Sequence, residues 1–272
     1  MITPLELVKR TPKSNCGECG HPTCLAFAAL AVKGVTDPRR CPYLHLDGLD
    51  LSQHGNNGAA QLHLKQELQL IEQLKHKVRP LDFARLADPL GAKWHQAEPD
   101  TLRFDYLGQA VAFSKSGVLL NGATPEDPRD QILLYNYVHS GGSTPPALDW
   151  IGLESLPNSI SKVRTLAIYC ENRLADHFSR FPLEAIVAAA AQLDARLHPE
   201  TPAALGLLIP VLPRVPHYLL YWQAEPEDGF AARAKVLFDR QVLDYLDLES
   251  LVFAAERMAD AMMHQLPDYA TD

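Results

Sequence analysis

Four of the five cysteines in this 272-residue chain lie within its first 41 residues. They are Cys16, Cys19, Cys24 and Cys41, and the rest of the chain holds only Cys170. Disulfide frameworks belong to secreted chains, but the N-terminal sequence MITPLELVKRTPK has no apolar signal-peptide core. We therefore expect a cytoplasmic protein with reduced thiols, in which a metal centre is the usual cause of such a cluster.

The spacing of these cysteines, C-x2-C-x4-C-x16-C, indicates which metal group they could bind. Tetrahedral thiolate ligation suits zinc or an iron–sulfur cluster. Zinc sites usually contain two C-x2-C pairs, whereas this chain has one. Proline after the last cysteine, as in Cys41-Pro42, recurs in bacterial ferredoxins. The spacing therefore favours a 4Fe–4S cluster, with zinc and redox-sensing thiols as the alternatives.

The residues around the cysteines suit an anionic metal group. Cys24 lies in the first turn of a predicted helix, where the helix dipole favours negative charge. Gly17 and Gly20 allow backbone N–H groups to approach the sulfur atoms. Residues 1–48 contain six Lys and Arg against four Asp and Glu, a net charge of +2, while the whole chain carries −8. This division of charge is either chance or partial compensation for the metal group.

The sequence NCGECGHPTCLAFAALAVKG, followed by CPYL, resembles a known cluster domain. Over residues 3–46 it is similar to the 4Fe–4S domain of the corrinoid iron–sulfur protein large subunit and to the cluster domain of the Rnf electron-transfer complex. The resemblance implies that Cys16, Cys19, Cys24 and Cys41 ligate a low-potential, one-electron 4Fe–4S cluster. In the corrinoid protein such a module helps to return inactive cobalt(II) to cobalt(I).

The sequence predicts an α+β protein, in which a small helical 4Fe–4S module precedes a larger α+β domain. We expect three parts: the module at 1–48, a linker and connecting helix at 49–79, and the α+β domain at 80–272. In the first two parts the apolar spacing and caps predict helices at 4–10, 23–33 and 60–78, with the linker at 49–60. In the third they predict strands at 102–106, 111–113, 205–212 and 218–223, and helices at 129–139, 183–197 and 248–266.

The α+β domain, over about 100–267, resembles a family known only as a domain of unknown function, which often follows this cluster module in anaerobes. The resemblance is carried by ILLYNYVHSGG, PRVPHYLLYW and KVLFD. No nucleophile elbow, Walker loop, dinucleotide fingerprint or HExxH motif is present. We expect Cys170 to be a buried small residue, His21 to face solvent in a turn, and Gly141-Gly142 to cap a helix. We also expect packing roles for the three tryptophans and solvated roles for six acidic residues, which are Glu225, Glu227, Asp228, Asp239, Asp247 and Glu249.

Charge and hydropathy exclude two classes of protein. The net charge of −8 argues against nucleic-acid binding, and apolar runs such as LGLLIPVL are too short to span a membrane. The leading hypothesis is an iron–sulfur electron-transfer protein that takes electrons from a ferredoxin-like donor and reduces or activates a protein acceptor, with a corrinoid protein as one candidate. The alternatives are a redox enzyme with its active site in the C-terminal domain, and a maturation or interaction protein with a structural metal module.

Overall fold

The computed structural model describes residues 3–21, 23–32, 36–45, 57–198 and 200–267. The chain divides into two compact units, Met1–Leu70 and Ile71–Asp272. The boundary falls inside a long helix, α3 (Asn57–Val78), which begins three residues before the predicted start at residue 60. Residues 49–56 of the predicted linker lie outside the described residues.

Two short helices in the first unit confirm the predictions from capping signals. Helix α1 (Pro4–Lys9) begins with a capping box, since Thr3 Oγ1 accepts from the Glu6 amide at 3.3 Å and the Glu6 carboxylate accepts from the Thr3 amide at 2.7 Å. Helix α2 (Cys24–Val32) begins where Thr23 Oγ1 accepts from the Ala26 amide at 3.0 Å. Its predicted end at Lys33-Gly34 lies outside the described residues.

The fourth cysteine belongs to the small apolar core of this unit. It follows a single 3₁₀ turn, Pro38–Arg40, which Asp37 caps by accepting from the Arg39 amide at 2.9 Å. The buried members of this core are Leu7, Phe27, Ala28, Ala31, Cys41 and Leu44. A core of this size stabilises a segment only weakly, so we expect metal binding to contribute to the free energy of folding of this segment.

The first sheet of the second unit is antiparallel and has four strands. The strands, in spatial order, are β1 (Lys93–Trp94), β2 (Thr101–Tyr106), β3 (Gln109–Ser114) and β4 (Val118–Leu120). The turn predicted at Gly108 is confirmed: Tyr106 pairs with Gln109, and both Leu107 and Gly108 have positive φ, at 49° and 74°. Two consecutive left-handed residues are the geometry of a type I′ hairpin.

A second antiparallel sheet has five strands in the order β5-β9-β8-β7-β6. Its strands are β5 (Trp150–Gly152), β6 (Arg196–Leu197), β7 (Leu205–Leu212), β8 (Val215–Trp222) and β9 (Arg233–Asp239). The predicted pair β7 and β8 is confirmed, but β8 begins at Val215 rather than at residue 218. Only Pro213 and Arg214 separate the two strands.

Helices complete the second unit and confirm the α+β class. They are α4 (Phe83–Leu86), α5 (Pro128–Ser140), α6 (Ile160–Leu166), a π-helical turn (Ala167–Glu171), α7 (Asn172–Phe178), α8 (Leu183–Ala191) and α9 (Leu248–His264). The helices predicted at 129–139 and 248–266 correspond to α5 and α9. Helix α5 ends at Gly141, whose φ of 74° makes it the predicted cap.

The helix predicted over 183–197 is too long. Helix α8 ends at Ala191 because Asp194 adopts a left-handed φ of 57° and the Ala195 amide donates to the Ala190 carbonyl at 3.1 Å. Leu197, expected on the apolar face of that helix, lies in β6 and is 57% exposed. Among the described residues, no helix combines the length and apolar character that crossing a membrane would need.

Candidate metal centre

The loop that carries the first two cysteines is held by backbone geometry and one side-chain cap. Asn15 has a φ of 51°, and its Oδ1 accepts from the Cys24 amide at 2.8 Å, which ties the start of the loop to the first turn of α2. Gly17 and Gly20 have φ of 78° and 82°, and the Gly20 amide donates to the Gly17 carbonyl at 2.8 Å. Nothing lies within 4 Å of a Cβ built on either glycine, so the backbone conformation requires glycine while the space beside it stays open.

The four thiols differ in exposure. Cys16 is exposed, Cys19 and Cys24 are half-buried, and Cys41 is buried, and all four are free thiols. The structure brings Cys19 against the small apolar core that includes Cys41. Across the described residues, no three His, Cys, Asp or Glu side chains approach closely enough to hold a metal ion. The structure thus brings Cys19 and Cys41 to one small core, while the four described thiols are not closed into a ligand cage.

The chemistry of this donor set fits a thiolate-bound metal group. Four sulfur donors without a competing disulfide can satisfy the tetrahedral ligation of zinc or the four irons of a cubane. Cys24 is the first residue of α2, where the positive end of the helix dipole favours an anionic ligand. Closure of a metal cage commonly accompanies metal binding in small modules of this kind.

Two side-chain hydrogen bonds join the cysteine loop to the segment around Cys41. His21 Nε2 and Thr36 Oγ1 lie 3.1 Å apart, and the His21 ring packs 5.9 Å from the Phe27 ring. The expectation that His21 faces solvent is therefore wrong: it is half-buried, because Thr36 and Phe27 hold it against the core. On the exposed side, the Tyr43 hydroxyl donates to Glu18 Oε1 at 3.0 Å.

The same hydrogen bond perturbs the Tyr43 hydroxyl. The pKa of Tyr43 is raised chiefly by the hydrogen bond to Glu18 and by the charge of that carboxylate. The Tyr43–Glu18 pair therefore keeps the tyrosine in its protonated, donating form.

Basic side chains lie exposed in the same unit. Lys13, Arg39 and Arg40 are exposed and make no ion pair within the part of the chain that is described. Charges of this kind attract acidic partners over about a Debye length, roughly 8–10 Å at moderate salt. The first unit thus offers unpaired positive charge to a partner, in a chain whose net charge is −8.

The remaining cysteine has a structural role, as expected. The thiol of Cys170 is fully buried and donates to the Ala255 carbonyl at 3.2 Å. Burial raises its pKa well above the ordinary value, so it stays protonated and unreactive. Cys170 sits in the π-helical turn, which also turns Glu171 inward to accept from the Val236 amide at 3.1 Å.

The tryptophans pack as expected. Trp94 Nε1 donates to the Pro99 carbonyl at 3.0 Å, and Trp150 lies 5.5 Å from the Tyr218 ring. Trp222 Nε1 donates to the Pro202 carbonyl at 3.2 Å. Each ring thus has a partner within the protein.

The six acidic residues do not all behave as predicted. Asp239 is 1% exposed and accepts from the Leu148 amide at 2.5 Å and the Gln241 amide at 2.8 Å. The expectation of a solvated carboxylate is wrong there, because hydrogen bonds from these two amides hold the Asp239 carboxylate inside the fold. Asp247 caps α9 by accepting from the Ser250 amide at 2.7 Å.

The sequence analysis missed a groove in the second unit. It has a volume of about 1130 Å³ and is lined by the first sheet together with β6 and β7. Its charged side chains are Lys93, Arg103, Asp105, Asp194 and Arg196, and its described lining includes no His, Cys, Ser or Thr. The groove therefore offers charged contacts of both signs but no hydroxyl, thiol or imidazole from Ser, Thr, Cys or His among its described lining residues, and no motif in the sequence signals it.

Two family models match the chain, one in each part. Residues 12–43 match the family described as "Putative Fe-S cluster", and residues 82–261 match "Domain of unknown function (DUF3786)". Both matches agree with the resemblances drawn from the sequence. The first match supports an iron–sulfur cofactor in the N-terminal segment.

Curated relatives match the N-terminal region. The chain is 54% identical over 43 residues to the corrinoid/iron-sulfur protein large subunit of Moorella thermoacetica, which covers 16% of this chain and 10% of that protein. It is 48% identical over 42 residues to acetyl-CoA decarbonylase/synthase complex subunit gamma 2 of Methanosarcina thermophila, covering 15% and 9%. The corresponding gamma subunit of Methanocaldococcus jannaschii is 36% identical over 44 residues, covering 16% and 9%.

The extent of these matches determines what they establish. The chain spans about a tenth of the length of the curated relatives it matches, and no solved structure matches it. The second family model, in contrast, covers well over half of the chain. The protein therefore belongs to the DUF3786 family, with an iron–sulfur segment at its N-terminal end.

Proposed function

We propose that the protein is an electron-transfer protein whose 4Fe–4S cluster is ligated by Cys16, Cys19, Cys24 and Cys41. The observation that carries the proposal is the three-plus-one spacing of four free thiols inside the segment that matches the iron–sulfur family model. When bound, such a cluster supplies a reversible one-electron carrier, typically of low potential. We place this function in the cytoplasm, where thiols stay reduced.

Each neighbouring residue has a defined task in this proposal. Asn15 holds the start of the cysteine loop on the first turn of α2, at the positive end of the helix dipole where Cys24 begins the helix. The open space beside the left-handed Gly17 and Gly20 lets the backbone of the loop approach a sulfur atom closely. Phe27 and Leu44 share the small core with Cys41 and exclude water from it, whereas the exposed Cys16 gives a partner access to the site.

The proposed partners follow from charge and from the relatives. The exposed cations Lys13, Arg39 and Arg40 suit an acidic, ferredoxin-like electron donor. One relative is named a corrinoid/iron-sulfur protein, so we propose a corrinoid protein as the first acceptor to test. We keep the domain limits 1–48, 49–79 and 80–272, with the last part as the docking domain for the acceptor.

The test combines reconstitution with electron transfer. Anaerobically reconstituted protein should accept one electron from a reduced ferredoxin in stopped-flow measurements and pass it to a cobalt(II) corrinoid protein, followed by the cobalt(I) absorbance. Cys24→Ser should abolish both steps, since it removes one ligand. Cys170→Ser is the matched control and should leave both rates unchanged, because Cys170 lies in the second unit. A wild-type protein that binds iron but is neither reduced nor reoxidised would contradict the electron-transfer role and favour a structural metal module.

The groove in the second unit supports a second candidate function, a redox enzyme with its active site there. Lys93 lies directly opposite Arg103 across β1 and β2, and like charges in this position cost stability. Arg103 is compensated by Glu98, with Nη2 and Oε2 2.7 Å apart, but Lys93 has no such partner among the residues described. An anionic ligand bound in the groove would offset the repulsion between Lys93 and Arg103, so this pair supports a ligand site there. Binding of a small anion such as citrate, lost in Lys93→Gln and measured by calorimetry, would support the ligand site that this candidate requires, and heat changes that are absent or equal in both proteins would contradict it.

A further inference from the structure

The two stretches of chain that supply the cysteines are joined by a hydrogen bond at their exposed side. Tyr43 lies two residues after Cys41, and Glu18 lies between Cys16 and Cys19. The Tyr43 hydroxyl donates to Glu18 Oε1 at 3.0 Å, across 25 positions of sequence. The bond therefore links the turn that carries the fourth cysteine to the loop that carries the first two.

Two side-chain contacts join the cysteine loop to the segment around Cys41, and we call them the inner tie and the outer tie. The inner tie is the 3.1 Å contact between His21 and Thr36, and Thr36 is 6% exposed. The outer tie is Tyr43–Glu18, in which Tyr43 is 47% exposed. Water can compete for the donor and the acceptor of the exposed outer tie, so we expect the outer tie to open before the inner one.

We propose that the Tyr43–Glu18 hydrogen bond is a latch that holds the turn of the fourth cysteine over the cysteine loop and slows the loss of iron from the site. This inference rests on the proposed iron–sulfur function. Tyr43 and Glu18 act as positioning residues, because they work through the segments that carry the thiols. An exposed hydrogen bond contributes about 0.5–1.5 kcal/mol, which corresponds to a change of about two- to tenfold in a rate that requires its rupture.

A competing explanation assigns the slower loss of iron to the charge of Glu18 alone. The Glu18 carboxylate could act on the thiols through its own negative charge, without Tyr43. Substitution by alanine and by glutamine separates the two mechanisms. Glu18→Ala removes both charge and acceptor, whereas Glu18→Gln removes the charge and keeps a carbonyl oxygen that can accept from the Tyr43 hydroxyl.

The experiment measures iron release from the reconstituted full-length protein to a ferrous chelator under argon. Tyr43→Phe and Glu18→Ala should each release iron about two- to tenfold faster than wild type. The double variant should be no faster than the faster single variant, because both substitutions break the same bond. Glu18→Gln should stay closer to wild type than Glu18→Ala does.

The control is Tyr169→Phe, which removes a hydroxyl from another exposed tyrosine. Tyr169 is 53% exposed, and its hydroxyl makes no hydrogen bond within the described part of the chain. The Tyr169→Phe variant should release iron at the same rate as wild type. Unchanged rates in Tyr43→Phe, multiplied effects in the double variant, or equal rates in the two Glu18 variants would each overturn the latch while leaving the iron–sulfur function intact. A wild-type protein that takes up no iron would overturn both.

Discussion

His217 gives the sharpest prediction about the stability of the second unit. It lies in β8, is 0% exposed, and neither ring nitrogen has a hydrogen-bond partner within the described residues. Its ring packs edge-on against Phe238, with 5.0 Å between the ring centroids. Burial lowers the pKa of His217 from 6.5 to about 3. The folded protein therefore holds a neutral, unsatisfied imidazole where an apolar side chain would fit.

The sign and size of the pH effect follow from this pKa. Between pH 6.5 and pH 3 the unfolded chain binds a proton that the folded chain refuses, so stability falls as the pH falls through this window. From pH 7.5 to pH 5 the loss attributable to His217 is about 2 kcal/mol. His217→Leu should abolish this part of the acid sensitivity. It should also stabilise the protein at pH 7.5, because an unsatisfied buried polar group costs about 1–3 kcal/mol.

The assay is urea unfolding at pH 7.5 and pH 5, followed by tryptophan fluorescence. The three tryptophans, Trp94, Trp150 and Trp222, all lie in the second unit, so the signal reports its unfolding. The variant should lose about 2 kcal/mol less than wild type between the two pH values. Equal losses in the two proteins would refute the assignment of the acid sensitivity to His217.

Three further predictions follow from other contacts. Asp130 is 3% exposed and accepts one hydrogen bond from Tyr106 at 2.9 Å and two from Arg257 at 2.8 Å. Asp130→Ala should lower the free energy of unfolding in urea by about 3–5 kcal/mol, because it leaves the half-buried guanidinium without this carboxylate. Gly142→Ala should cost about 3 kcal/mol by the same assay, since its φ is 56° and the new Cβ would overlap the Tyr245 ring. Reduction of the protein by a ferredoxin should become slower as the salt concentration rises. The exposed cations attract an acidic donor, and salt screens that attraction.

Each of these predictions has a control or a contradicting result. Gly117→Ala is the matched glycine substitution, because Gly117 has no atom within 4 Å of its added Cβ and no left-handed φ. It should change stability far less than Gly142→Ala does. A stability loss below about 1 kcal/mol in Asp130→Ala would show that solvent compensates Arg257. A reduction rate independent of salt would exclude electrostatic steering by the first unit.

Local signals in the sequence predicted the elements that need no tertiary information. The capping box of Thr3 and Glu6 predicted α1, and the left-handed Gly141 predicted the end of α5. The alternation through β2 predicted a strand buried on one face. In each case the determining contact lies within a few residues of the signal, so a sequence pattern is sufficient.

Features that depend on distant residues could not be predicted in this way. The half-buried position of His21 requires Thr36, 15 residues away, and the burial of Asp239 requires the Leu148 amide, 91 residues away. The groove is assembled from two sheets whose lining residues show no common pattern. The assignment of the four N-terminal cysteines as ligands stays a prediction from their spacing, which metal chemistry restricts along the chain.

The central claim is that the four N-terminal cysteines hold a 4Fe–4S cluster, and metal analysis tests it most directly. Protein purified and reconstituted without oxygen should be brown and contain about four irons and four acid-labile sulfides per chain. After reduction it should give the electron paramagnetic resonance signal of a one-electron-reduced cluster, and Cys24→Ser should lose both metal and signal while Cys170→Ser keeps them. A colourless protein with one zinc per chain, or iron content unaffected by Cys24→Ser, would contradict the account.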